Sequence, residues 1–174
     1  LTTTSFAWFV RRTVSRLGVD LIHAHDRIYH AHIFTLHGIP HRQWVEEVRR
    51  KPVPSLYDRA TWDVERRLIE DPACRYLLAV MLQEEADRLM KEPGYDKEAV
   101  LSLLVGTRGK DGKRQGNGAY QHFINVFFKY PESAWAAQAG ERAEQVRLII
   151  TEVFGGNIAI QIKPEDIARV RTLQ

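Results

Sequence analysis

The sequence predicts an α/β fold with parallel strands, arranged as two units. Two observations predict it. Short apolar runs of four to eight residues, each bounded by turn-forming residues, alternate along the chain with segments whose apolar residues recur at helical spacing. A polar, turn-forming stretch at 92–96 (EPGYD) then separates two halves that each begin strand, loop, helix. The expected units are 1–92 and 98–174.

In the first half, residues 5–17 put Phe6, Phe9, Val10, Val14 and Leu17 on one face of a helix that Ser5 can start and Gly18 can end. Residues 20–25 and 32–37 read as two buried strands, the second closed by Gly38 and Pro40. A helix over 41–50 carries Trp44, Val45 and Val48 on its packing side, until Pro52 and Pro54 break it. The spacing predicts a longer helix over 55–70, with Leu56, Trp62, Val64, Leu68 and Ile69 on its apolar side and Asp71-Pro72 as its stop. Residues 76–81 (YLLAVM) read as a third strand and 82–91 as a helix. In the second half, 99–106 (AVLSLLVG) reads as a strand running into a glycine-rich loop. A helix at 119–129, a strand at 134–139, a helix at 141–154, a strand at 157–162 and a last helical turn or two after 163–166 follow.

A net charge of +3 and an isoelectric point near 9.1 suit phosphate-bearing ligands, an anionic membrane face or nucleic acid alike. Nucleic acid has only this charge and the basic runs at 49–51 and 110–114 in its favour, and is not the expected partner. Cys74 is the single cysteine, so disulfides do not hold the fold and a reducing compartment is expected. No stretch approaches the roughly 20 apolar residues needed to span a bilayer. Residues 1–12 contain no acidic side chain, as transit peptides do, but read more simply as the start of the first helix.

Histidines concentrate where chemistry is expected. His23, His25, His30, His32 and His37 fall within residues 20–40, and ligands gather at the carboxyl ends of parallel strands. The pairs His23/His25 and His30/His32 each put two imidazoles on one strand face, as some metal hydrolases do. No third ligand has the right spacing, so structural histidines at strand ends are the simpler reading and no metal is expected. The second signal is the loop at 106–118, where glycines and basic residues lie between a strand and a helix. Its backbone amides and Arg108, Lys113 and Arg114 could hold a diphosphate. It is neither a Walker loop nor the Gly-x-Gly-x-x-Gly fingerprint.

Residues 20–26 (DLIHAHD), 34–40 (FTLHGIP), 64–68 (VERRL) and 76–80 (YLLAV) resemble the acceptor half of family 4 glycosyltransferases. Residues 99–106, 113–116 (KRQG) and 139–141 (AGE) resemble the start of that family's nucleotide-sugar half. The resemblance implies two Rossmann-like parallel α/β units in the GT-B arrangement. It also implies a retaining transfer from a nucleotide-diphosphate sugar to a glycan or lipid-linked acceptor, as in lipopolysaccharide assembly, with no further cofactor. On that resemblance His37 lies near the transferred sugar and Gly38 lets the donor pack close. Lys113, Arg114 and Gly116, with Gly106 and Arg108 of the same loop, face the diphosphate, and Glu152 in 152–155 (EVFG) matches the first glutamate of a later pair. The family's location is cytoplasmic, with peripheral contact at an anionic inner membrane. Gln115 stands where the family has lysine, and Ile160 stands in the second glutamate's place. Donor binding without a useful rate of transfer is therefore the expectation. A non-catalytic scaffold, from the aromatic segment 119–133, and a basic nucleic-acid-binding subunit are the alternatives.

Overall fold

The computed structural model describes residues 3–35, 39–50, 52–109, 112, 114–158 and 160–174. Among them lie eight α-helices: α1 (Thr3–Leu17), α2 (His41–Gln43), α3 (Leu56–Ile69), α4 (Pro72–Met90), α5 (Lys97–Val105), α6 (Ala119–Lys129), α7 (Ala136–Phe154) and α8 (Pro164–Arg171). The strands β1 (His23–Ala24) and β2 (Ile33–Phe34) have two residues each. The chain is mostly helical, and the expected pair of Rossmann-like α/β units in a GT-B arrangement is not what it forms.

The error has a local cause. An apolar run of five or six residues fits a buried strand and a buried helix segment equally well. Residues 76–81 sit in the middle of α4, which Pro72 opens at the position where its missing N–H costs nothing. Residues 99–105 belong to α5, whose start is fixed by Asp96: its carboxylate accepts from the N–H groups of Glu98 and Ala99 at 2.9 and 3.3 Å. Residues 136–139 are the first turn of α7, and the described part of 157–162 is irregular. The runs at 76–81, 99–105 and 136–139 therefore lie within helices, with Ala79, Val100, Leu104 and Ala136 among their buried residues. The helices expected at 5–17, 41–50, 55–70 and 119–129 are present.

The chain divides into two compact units, Leu1–Cys74 and Arg75–Gln174. The division falls within the first turn of α4, and residues 92–96 form the turn between α4 and α5 inside the second unit.

In the first unit, β1 and β2 run parallel with His23 opposite Ile33 and Ala24 opposite Phe34. Ala24, Ile28, Ala31 and Leu68 form a small core against which Val10, Ile22 and Phe34 pack. After Pro40, α2 passes directly into a single π-helical turn, Trp44–Val48, closed by the Arg49 N–H donating to the Trp44 carbonyl at 2.9 Å. Arg50 then leaves with φ +47°, a left-handed conformation that costs a non-glycine residue about 1–2 kcal/mol.

The second unit has the larger core. The α6 side chains Tyr120, Phe123, Ile124 and Phe127 recur at helical spacing and pack against α7, whose Ala136, Ala139, Ala143 and Val146 are small enough for close approach. Gly140 marks the tightest point: a methyl group there would lie 2.7 Å from the Phe127 ring. Tyr76 stacks on Trp135 with ring centroids 5.0 Å apart and donates to Gln138 at 3.1 Å. The Tyr120 hydroxyl donates to the Ile160 carbonyl at 2.7 Å; burial, then the nearby Glu144 carboxylate, push its pKa up to about 12.

Candidate functional site

Helix α3 organises the densest polar cluster of the first unit. Ser55 caps it: the Ser55 hydroxyl accepts from the Asp58 N–H, and the Asp58 carboxylate accepts from the Ser55 N–H at 2.8 Å and from its hydroxyl at 2.6 Å. This reciprocal box uses Asp58 Oδ2. Its other oxygen, Oδ1, lies 3.0 Å from His41 Nε2. Two turns further along the same face, Glu65 accepts from the His41 backbone N–H at 2.9 Å and from Arg27 Nε at 2.7 Å. Asp58 and Glu65 are 1% and 4% exposed, so both carboxylates are held by their partners rather than by water. Between them on that face, the Thr61 hydroxyl is buried with no hydrogen-bond partner among the described residues.

This brace lies behind a groove of about 360 Å3 lined by Arg27, Ile39, His41, Trp44, Arg49 and Tyr57. The His41 ring meets Trp44 at 5.6 Å between centroids and Tyr57 edge-on at 5.9 Å. The π-helical turn sets Arg49 five residues after Trp44, and its guanidinium lies 5.0 Å above the indole. Two cations and two exposed aromatic rings thus converge on one concave surface, with a buried acid fixing one of the cations. Such a surface suits a ligand with a flat or apolar ring and a negative charge.

The sequence missed Arg27, His41, Asp58, Glu65 and Tyr57. A signal was present. Asp58 and Glu65 fall on the same stripe of the predicted helix 55–70 as Val64 and Leu68, and carboxylates on an apolar stripe need partners.

Of the sequence-predicted site residues, His37, Gly38 and Lys113 lie outside the described residues. Gly106, Arg108, Arg114 and Gly116 are brought together in the loop between α5 and α6. Arg114 donates to the Gly106 carbonyl and to Glu98, both at 2.8 Å. Arg108 reaches the same Glu98 at 3.4 Å and donates to the Gly112 carbonyl. The Gln115 N–H donates to the Thr107 carbonyl at 2.9 Å, closing the two sides of the loop. The glycines answer to packing. A methyl group on Gly118 would meet the backbone of Leu104, Val105 and Gly106 at 2.5 Å, and Gly106 adopts φ +98°. Both described arginines of the loop therefore have internal partners. Glu152 is exposed near the end of α7, in the electrostatic neighbourhood of Arg147.

The histidine pairs are adjacent in space: ring centroids are 4.3 Å apart for His23 and His25 and 5.2 Å for His30 and His32. His23 Nε2 lies 2.8 Å from the Thr35 hydroxyl. Among the described residues no three His, Cys, Asp or Glu side chains converge as a metal-binding set. No helix of the described residues is long and apolar enough to cross a membrane. No family model matches the chain, and neither the curated proteins nor the solved structures contain a match to it.

Proposed function

We propose that this chain is a glycosyltransferase-like protein that binds a nucleotide-diphosphate sugar without transferring it efficiently, and that the ligand's seat is the groove of the first unit. The observation that carries the reading is the Arg27 guanidinium, held through Nε by buried Glu65 at the wall of a groove that also contains Trp44, Arg49 and Tyr57. Among the described residues Glu65 engages Arg27 through Nε, and the terminal nitrogens can take a phosphate, which arginine recognises through its planar fork. Trp44 and Tyr57 supply flat apolar faces for a base or a sugar ring. In the chain, Ile39 and His41 of the groove closely follow His37 and Gly38, which lie in 34–40, one of the segments that resemble a glycosyltransferase. The glycine-rich loop is a weaker seat, because Arg108 and Arg114 already hold Glu98 and loop carbonyls.

Calorimetric titration with uridine diphosphate and uridine tests the proposal. Saturable binding of the diphosphate, weakened at least tenfold by Arg49→Met with the fold intact, is expected. Binding of uridine equal to that of the diphosphate, or affinity indifferent to Arg49→Met, would overturn it. Arg49 is the better position to change, since Arg27→Met would strand a buried carboxylate.

The acceptor in this proposal is a glycan or lipid-linked sugar, reached at the cytoplasmic face of an anionic membrane. What supports that location is α1, which exposes Trp8, Phe9 and Leu17, carries Arg11, Arg12 and Arg16, and has no acidic residue. Sedimentation with phosphatidylglycerol vesicles that is lost at high salt is expected; equal sedimentation with phosphatidylcholine vesicles would contradict it.

A further inference from the structure

A second concave site lies elsewhere in the first unit. Between α1 and the segment bearing His30 and His32 is an open cavity of about 200 Å3. Val10, Val14 and Ile22 contribute apolar wall, and Arg11, His30 and His32 line it as well.

The imidazoles are fixed by their partners. His30 Nδ1 lies 2.7 Å from Asp71 Oδ2, so it donates to the carboxylate and leaves Nε2 as the ring's other polar atom. Asp71 is fully committed, because its Oδ1 accepts from the Ala73 N–H at 2.9 Å at the start of α4. His32 Nδ1 accepts from the Ile22 N–H at 3.0 Å, so its hydrogen is on Nε2. Burial first, then the neighbouring His30, lower the His32 pKa, partly offset by Asp71; the ring is thus favoured neutral. Among the described residues no carboxylate comes within ion-pair distance of Arg11. No carboxylate is among the lining residues, and the acid paired with His30, Asp71, has both oxygens used, while a guanidinium and two imidazoles line the cavity beside aliphatic side chains.

We propose that this cavity is a binding site for a small amphipathic carboxylate, its apolar body against Val10, Val14 and Ile22 and its carboxylate toward Arg11 and the histidine pair. The size fits. An apolar cavity of about 150 Å3 accommodates benzene, so about 200 Å3 admits a ring of that size together with one carboxylate. The site is distinct from the aromatic groove, shares no lining residue with it, and does not depend on the glycosyltransferase-like reading.

The test is calorimetric titration of the full chain with benzoate, and with benzyl alcohol as the neutral compound of similar shape. Benzoate is expected to bind saturably and benzyl alcohol at least tenfold more weakly. Arg11→Met, a change on the exposed side of α1, should weaken benzoate at least tenfold. Val14→Phe, which fills the cavity, should remove benzoate binding; if that variant does not fold, Arg11→Met decides alone. Uridine diphosphate in excess should not displace benzoate. Equal binding of acid and alcohol, indifference to Arg11→Met, displacement by uridine diphosphate, or no saturable binding in the millimolar range would each overturn the proposal.

Discussion

Asp58 joins two elements that are otherwise separate in the sequence: one carboxylate oxygen closes the N-terminus of α3 through Ser55, and the other lies 3.0 Å from His41 Nε2 in α2. One buried side chain thereby sets both the start of a helix and the position of a groove residue. Removing it in Asp58→Ala leaves the Ser55 hydroxyl as cap but deletes the carboxylate half of the capping box, a hydrogen bond worth about 1 kcal/mol. It also leaves the buried His41 nitrogen unpaired, worth about 1–3 kcal/mol. A loss of about 2–4 kcal/mol is expected in chemical denaturation of the first unit. Asp58→Asn, which keeps an oxygen for that half of the box, should lose clearly less; equal losses would mean it contributes little.

The glycine-rich loop gives a prediction that separates packing from ligand binding. Gly118→Ala drives a methyl group into three backbone atoms at 2.5 Å, where no side chain can move aside. It should cost about 3 kcal/mol, the upper end of overpacking penalties, with no ligand present. Gly112→Ala meets nothing within 4 Å and bears only the left-handed φ of +75°, about 1–2 kcal/mol. Ligand-free thermal melts that rank Gly118→Ala no worse than Gly112→Ala would refute the close approach of α5 and α6.

Arg114 is expected to act on stability rather than on phosphate affinity. Its bond to Glu98 is largely exposed on the acid's side and contributes little, whereas its bond to the Gly106 carbonyl is half-buried. Arg114→Ala should therefore lower unfolding free energy by about 1–2 kcal/mol and leave uridine diphosphate affinity unchanged. A variant of wild-type stability that no longer binds the diphosphate would return the phosphate site to the loop.

Two histidines make stability fall on the acid side. Burial, then the positive charge of Arg75, lower the His122 pKa, partly offset by a hydrogen bond to the Asn117 backbone; burial lowers that of His32. Both folded-state values lie below the unfolded value near 6.5. The unfolded chain therefore binds more protons as pH falls. The stabilising contribution is complete above pH 6.5 and is lost as pH drops through the lowered folded-state values. His122→Gln removes one of these groups, so the melting temperature between pH 7.5 and 5.5 should fall less steeply than in the wild type. An identical slope would show that His122 does not contribute.

Helices with periodic faces were legible in the sequence, and strands were not. Residues 119–129 announce a helix because Tyr120, Phe123, Ile124 and Phe127 repeat on one side between a glycine and a tyrosine-proline turn. Residues 76–81 and 99–105 are apolar nearly all round, which hides the helical period, and only Pro72 and Asp96 mark them as helices. Residues 20–25 and 32–37 read as full strands of a larger parallel sheet, whereas among the described residues only His23–Ala24 and Ile33–Phe34 pair, as a two-stranded sheet. The adjacency of His30 and His32 followed from their spacing of two. The braced groove was harder to see, because it depends on contacts across 38 residues from Arg27 to Glu65 and 17 from His41 to Asp58. Local spacing cannot report such contacts, and the glycine-rich loop attracted the functional reading because its composition is local.

The groove formed by Arg27, His41, Trp44, Arg49 and Tyr57 is the proposed seat of an anionic ring-bearing ligand. Titration of uridine diphosphate glucose into isotopically labelled protein, followed by nitrogen–proton correlation spectra, tests this placement most directly. Saturable shifts of the Trp44 indole and the Arg27 and Arg49 Nε signals are expected, with the Thr107 to Asn117 amides unmoved. Shifts confined to the loop amides, or no saturable shift of the Trp44 indole, would contradict it.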